Sequence, residues 1–446
     1  MARIAIVGEN SVGYIETLLY IWNSGDCAVL IDWRIPFQTA TEMMREANVH
    51  KCFMEKKLLS TVLDGLSGDI VFDSFVGGDF CAEYLSKALY NKYTSLYTYD
   101  EALVVYSSGT TGKSKGIILS HFAINTNADA IIDYMKIVKD DCIYLTKALS
   151  HASTLVGELV VALKSCMKLI VAPTVVPPRN ILSNINKHRV SIICVNPLLL
   201  SLIVDEVART ACNIASLRTI YVSGSIMTDR LYERARLILK NVAVYNVYGL
   251  SEAGPRVSAQ RVDCGLYNSV GRPIKNVEIA IIDEQGLRVL DGEQGVVHVS
   301  TPSRFARYIT GHEKNASLYR GWLNTGDLGC LDANGELHIT DRVDDIININ
   351  SHKIYPAEIE RQILHHTDFC DCSVVQIEYR DNVFIACLYV GRNEIEQDVR
   401  NKLTRILPAY EIPRQFVRCD RMPYKANGKI AKSEVQCIVK KALGME

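Results

Sequence analysis

Tyr106-Ser-Ser-Gly-Thr-Thr-Gly-Lys-Ser-Lys-Gly-Ile-Ile-Leu-Ser-His121 packs two hydroxyl pairs, three glycines and two lysines between apolar runs. Ala102 to Val105 precede it, and Ile117 to Leu119 follow. The pattern predicts a strand, a polar glycine-rich loop and a second strand. Such a loop brings backbone N–H groups, hydroxyls and ammonium groups within reach of phosphate oxygens. The Gly-Lys-Ser inside it does not make a P-loop. That motif needs glycine five residues before Gly112, where Ser107 stands, and it runs into a helix rather than a strand.

Outward from this stretch the chain alternates strand and helix. Ile4–Val7 reads as a strand, 12–24 as an amphipathic helix and Cys27–Ile31 as a second strand. Further strands are expected at 169–172, 191–195, 219–222 and 242–246, with a helix over 229–239. This alternation predicts layered α/β architecture with parallel strands. From Val277 the pattern becomes short strands separated by turns such as Asp283-Glu-Gln-Gly286 and Asp332-Ala-Asn-Gly335, a β region. After Arg342 it changes again. A helix with Pro356 in its first turn, strands over 373–378 and 383–390, and a helix over 397–406 predict a small α+β unit. The expected division is a large domain over 1–343 and a small one over 344–446.

At 446 residues and 48% apolar content the chain can bury a large core. Its 49 basic and 50 acidic residues nearly cancel, which argues against a general nucleic-acid or membrane surface. No apolar run reaches about 18 residues, so no transmembrane span is expected. The opening segment reads as a buried strand rather than a signal peptide. Fourteen cysteines occur without a CxxC pair, which predicts free thiols in a reducing, cytoplasmic setting.

Three later segments carry chemistry. In Asn246-Val-Tyr-Gly-Leu-Ser-Glu252, Tyr248 offers a face to a purine, Ser251 a hydroxyl to a phosphate, and Glu252 an oxygen ligand for Mg²⁺. In Gly321-Trp-Leu-Asn-Thr-Gly-Asp-Leu-Gly329, Asp327 is suited to accept hydrogen bonds from both hydroxyls of a ribose. Near the C-terminus, Pro423-Tyr-Lys-Ala-Asn-Gly-Lys-Ile430 holds Lys429 at a loop tip.

In this order, the segments resemble the signatures of the adenylate-forming superfamily: acyl-CoA synthetases, peptide-synthetase adenylation domains and luciferase-type enzymes. The likeness runs from Arg3 to about Ala431. It implies ATP-dependent activation of a carboxylic acid as an acyl-adenylate, with release of pyrophosphate and transfer to a phosphopantetheine thiol. ATP, Mg²⁺ and a carrier protein or CoA are the implied co-substrates and cofactors. The small domain is then a mobile one. In the implied site, Ser107, Ser108, Gly109, Thr110, Thr111 and Lys113 hold the phosphates. Ser223, Gly224 and Ser225, in Val222-Ser-Gly-Ser225, wall the nucleotide. Asn246, Tyr248, Gly249, Asp327 and Arg342 complete it. Ser251, Glu252 and Lys429 are the implied catalytic set, with Glu252 on the metal. Asp344, in Asp341-Arg-Val-Asp-Asp-Ile-Ile347, is the implied hinge.

The same resemblance places the acid pocket at His151, Val195, Asn196 and Tyr245. No carboxylate stands at His151's position to pair an α-ammonium, so an α-amino acid is disfavoured. The wall suits a small or medium acid, including an aromatic one, and His151 reads equally as a gate or a structural residue. Leu407-Pro-Ala-Tyr-Glu-Ile-Pro413 resembles a segment of carrier-loading enzymes, with free CoA as the other acceptor. Departures from the pattern are Ser114 for proline, Asp341 for glycine, Ser251 for threonine, a side chain at Ser351 where glycine is usual, and an opening shorter than usual. Ser351 and the short opening motivate two alternatives: transfer of the adenylate to an amine or other non-thiol acceptor, and a catalytically silent nucleotide-binding protein.

Overall fold

The computed structural model describes residues 1–62, 70–78, 83–107, 114–173, 176–210, 212–225, 227–261, 269–309, 318–319, 321–349, 352–379, 382–392, 396–425 and 429–445, with backbone only at 62, 107, 318 and 319. The loop at 108–113 and Ser351 therefore lie outside the described residues.

Strand Arg3–Val7 pairs in parallel with Cys27–Ile31 and Lys51–Glu55, inside a seven-stranded sheet whose central strand is Cys27–Ile31. Its residues alternate between two apolar layers. Ile4 and Ile6 face one, and Ala5 and Val7 the other. Such near-continuous apolar runs are what a parallel strand covered on both faces requires. Helix Val12–Asn23 begins at Ser11, whose hydroxyl accepts from the Tyr14 N–H. The opening stretch folds as a hairpin: Glu101–Ser107 runs antiparallel to Lys115–Ser120 at one side of this sheet.

A second sheet carries the parallel strands Ile192–Val195, Thr219–Val222 and Ala243–Tyr248, and continues as an antiparallel meander through Ser269–Pro273, Leu337–Arg342 and Trp322–Leu331. Two layers again cover the parallel part. Cys194 and Tyr221 face the large central core, while Val195, Val222 and Val244 face helices Pro178–His188, Pro197–Thr210 and Asp229–Ile238. The carboxyl ends of the parallel strands point the same way, which is where open α/β sheets gather ligands.

Residues beyond Ile346 form a three-stranded sheet, Phe369–Tyr379, Asn382–Gly391 and Gln415–Arg418. Helices Pro356–His366 and Glu396–Leu403 pack on one face and Lys432–Ala442 on the other, each with its own apolar cluster. The expected α/β and α+β layers are present. The twelve cysteines described are free thiols, six of them buried. Among the described residues no helix is long and apolar enough to cross a membrane.

Candidate active site

Strand Ala243–Tyr248 ends in Tyr248 and turns at Gly249. A Cβ at Gly249 would stand 1.9 Å from the Pro255 carbonyl oxygen, so no side chain fits there. The chain then makes a short 3₁₀ turn, Ser251–Ala253. Its central residue, Glu252, is fixed from the other sheet: the Tyr308 hydroxyl donates to Glu252 Oε1 at 3.1 Å, and the Phe305 N–H to the Glu252 carbonyl at 2.9 Å. Strand Arg307–Tyr308 pairs with Ile117 and Ile118 in the outgoing arm of the signature hairpin. The hairpin and Glu252 thus share one backbone frame. Lys115, on that arm, holds its ammonium 5.8 Å from the Tyr308 ring centre.

A second constellation forms within the second sheet. Asp327 and Arg342 stand opposite each other on paired strands, and Arg342 Nη1 lies 3.1 Å from Asp327 Oδ1. The other oxygen, Oδ2, accepts the Tyr248 hydroxyl at 2.5 Å. Gly326 has φ of +71°, and a Cβ there would stand 3.2 Å from Arg342 Nη2, so glycine admits the guanidinium. Asp327 is buried. Burial pushes its pKa above the ordinary carboxylate value, against the pull of Arg342, Tyr248 and Lys429. Each carboxylate oxygen keeps a lone pair for a further donor.

Lys429 sits on a turn closed by the Lys425 N–H donating to the Lys429 carbonyl at 2.7 Å and by a bridge between Tyr424 and Ile430. Its residue surface is open to solvent, yet protein packs close enough around the ammonium to strip much of its water. That loss and the nearness of Arg342 push its pKa below the ordinary lysine value, while Asp327 and Asp345 pull it back. Lys429 is therefore within electrostatic reach of the Asp327–Arg342 pair. Lys353 pairs with Glu284, both of them exposed.

The acid-pocket residues divide. His151 begins the helical segment 152–165 and lies 3.8 Å from Asp32, itself paired with Arg34. Burial pushes the His151 pKa down, against Asp32. Tyr245 stacks on Tyr221, ring centres 5.0 Å apart, on the sheet face toward the central core. Val195 packs into the opposite layer, because successive strand side chains alternate and Cys194 takes the inward position. Asn196 caps helix Pro197–Thr210, its Oδ1 accepting from the Leu199 N–H at 2.8 Å.

Of the remaining expected residues, Asn246 holds the sheet together: its side-chain amide donates to the Ser269 carbonyl at 3.0 Å. Ser223 is buried and its N–H donates to the Val195 carbonyl. Gly224 has φ of +106° with open space beside it, and Ser225 is exposed. Ser251 opens the 3₁₀ turn. Asp344 lies in the 3₁₀ turn Val343–Asp345, between the meander and the C-terminal unit. Ser108, Gly109, Thr110, Thr111 and Lys113 lie outside the described residues, as does the side chain of Ser107. Tyr308, Asp341 and Asp345 were not anticipated. Tyr308 lies on a two-residue strand with no periodic signal, and its link to Glu252 spans 56 residues.

The model of the AMP-binding enzyme family matches residues 1–309. A fatty acid–[acyl-carrier-protein] ligase, ScoC, from Streptomyces coeruleorubidus is 26% identical, covering 97% of this chain and 86% of its own. An indoleacetate–CoA ligase from Aromatoleum aromaticum is 25% identical, covering 99% and 89%. Among solved structures, o-succinylbenzoate coenzyme A synthetase from Bacillus subtilis, in complex with ATP and magnesium ion, superposes with a TM-score of 0.82 at 22% identity over 98% of this chain and 89% of that one. ATP-bound MatB from Rhodopseudomonas palustris gives 0.84 at 20% identity, over 99% and 89%.

Proposed function

This chain belongs to the AMP-binding enzyme family, and on that premise we propose that it activates a carboxylic acid with ATP and passes the acyl group to a thiol. It is an AMP-forming acid–thiol ligase, in keeping with relatives that are CoA and acyl-carrier-protein ligases. The observation that carries the reading is the Tyr248–Asp327–Arg342 constellation with Lys429 within electrostatic reach of it.

In the first step a carboxylate oxygen of the acid attacks the α-phosphorus of ATP, the bond to the β-phosphate bridging oxygen breaks, and pyrophosphate leaves. Asp327 receives the ribose hydroxyls on its free lone pairs, and Tyr248 and Arg342 hold it in place. Lys429 stabilises charge shared between the acid carboxylate and the α-phosphate, a preorganised electrostatic contribution. The family resemblance assigns the outer phosphates to the 107–113 segment, with Lys115 on the strand that follows it. Glu252, held by Tyr308, fits one carboxylate ligand of a magnesium ion, which otherwise takes phosphate and water oxygens. Among the described residues no cluster of three or more metal-ligating side chains is gathered, as such a phosphate-borne ion allows. When bound, the ion neutralises phosphate charge.

In the second step a thiolate attacks the acyl carbon, the bond to the AMP oxygen breaks, and the thiol proton goes to solvent. We assign residues 1–343 to acid and nucleotide binding and 344–446 to a unit that rotates about Asp344, withdrawing Lys429 and bringing up the strand that holds Lys353. Tyr410, in the Leu407–Pro413 segment, stacks on His352 at 4.1 Å between ring centres, beside Lys353. The likeness of Leu407–Pro413 to carrier-loading enzymes, and the acyl-carrier-protein ligase among the relatives, support a carrier-protein phosphopantetheine as acceptor, with CoA as the other thiol. The test is carboxylate-dependent ATP–pyrophosphate exchange over aryl, short-chain, medium-chain and amino acids, followed by AMP release with carrier protein or CoA. Exchange with no acid, despite Mg-ATP binding, refutes acid activation.

A further inference from the structure

A group of charged side chains behind His151 has no part in the steps above. Arg256 follows the Gly254–Pro255 peptide and is only 2% exposed. Its guanidinium lies flat against Gly157, where a Cβ would meet Nη2 at 3.2 Å and Nε at 3.3 Å. Both nitrogens are buried without a hydrogen-bond partner, and Arg256 makes no ion pair among the described residues. Gly157 and Glu158 belong to the π-helical turn Leu155–Val160, a distortion that recurs at functional sites. Glu158 is fully buried. Lys147 Nζ stands 3.2 Å from its Oε1 without the alignment of a hydrogen bond.

The surroundings are polar and equally unsatisfied. The hydroxyls of Tyr134, Tyr221 and Thr154 are buried without partners. Tyr134 meets Tyr221 edge-on at 5.8 Å, and Tyr221 stacks on Tyr245. These are the elements that carry the inward acid-pocket residues, His151 and Tyr245. Two cations here face one carboxylate, whose pKa burial pushes upward. A buried guanidinium lacking partners costs several kcal/mol, and a folded chain ordinarily satisfies such groups. A bound anion completes this set, whereas a bound amine would add a third cation.

We propose that the acid carries a second, negatively charged group remote from the reacting carboxylate, and that Arg256, with Lys147 beside it, receives that group; this rests on the acid-activation reading. Gly157 has a reason in the same picture: a side chain there would press on the guanidinium and shift it.

The test is ATP–pyrophosphate exchange with butyrate against succinate, valerate against glutarate, and benzoate against phthalate, on wild type, Arg256→Leu and Arg256→Lys. Leucine removes the buried charge without stranding an ion-pair partner, so the variant is expected to fold. Wild type should favour the diacids by at least about tenfold in kcat/KM, a charged hydrogen-bond's worth. Arg256→Leu should invert the ratio and Arg256→Lys restore part of it. A wild-type preference for monoacids, or an unchanged ratio in Arg256→Leu, overturns the proposal. Thermal protection by the same acids at fixed Mg-ATP reads the pocket apart from turnover. Arg256-dependent protection by a diacid without exchange keeps the pocket and refutes the reaction. Neither protection nor exchange with any diacid overturns the pocket assignment.

Discussion

Asp341 fastens the N-terminal end of helix Pro356–His366 to the strand that ends at Arg342: its Oδ2 accepts the Ala357 N–H at 3.0 Å and its Oδ1 the Arg342 N–H at 2.7 Å. The residue is buried. Lys432, near the last helix's start, adds a contact to Asp345 at 3.1 Å. Asp341→Gly removes a helix cap worth about 1 kcal/mol. If the cap exists only in the orientation with Lys429 inward, that orientation loses about fivefold in population relative to its alternative. Stopped-flow measurement of the two half-reactions should show slower adenylation and unchanged or faster thiol transfer. Equal slowing of both would remove the orientation-specific role.

Lys429→Ala should cut exchange by about a hundredfold to a thousandfold, the scale for losing one preorganised donor. ATP binding, measured by calorimetry, should persist because Asp327 and Tyr248 remain. Full exchange in the variant would exclude Lys429 from the first step.

The depressed pKa of Lys429 sets a pH limit on the same step. The ammonium form stabilises developing charge, so activity falls as pH rises through a value below the ordinary lysine pKa. In Lys429→Arg the alkaline limb should move upward, since guanidinium stays protonated. A limb unmoved by that substitution belongs to another group.

Glu360, which accepts the Val374 N–H at 2.7 Å, has its pKa pushed up to about 7, chiefly by burial. A carboxyl with a raised folded-state pKa contributes stability below its unfolded value, near 4.5, that is lost as pH rises through about 7. The loss is at most roughly 3 kcal/mol, less to the extent that solvent reaches the group. Glu360→Gln should flatten the pH dependence of unfolding between those limits, read by denaturant titration. An unchanged slope would place the titration elsewhere.

Much of the architecture was legible because apolar runs bounded by turn residues fix strands and helices locally. Cys27–Ile31 and Thr219–Val222 appear with the expected bounds. The side toward which a strand presents each residue was harder. Assigning Val195 to the acid pocket needed to know that Cys194 takes the inward position, and only packing between layers decides that. Asn246 carries a motif residue's identity, yet its amide is used on Ser269. Tyr308 and Arg256 were invisible for a different reason: the Glu252 that Tyr308 bonds and the Gly157 that Arg256 lies against are far off in sequence, and neither stands in a pattern that local chemistry would single out.

The strand that carries Tyr308 is joined to the signature hairpin by main-chain bonds, Ala306 N–H to Ile118 and Ile309 N–H to Gly116, both 2.8 Å. The placement of the Glu252 backbone relative to the hairpin's outgoing arm is therefore set by peptide geometry rather than by rotamers. His151, expected in the acid pocket, begins a different element, the helical segment 152–165. A change at His151 thus leaves that main-chain frame intact, whereas a change on the strand before Glu252 does not.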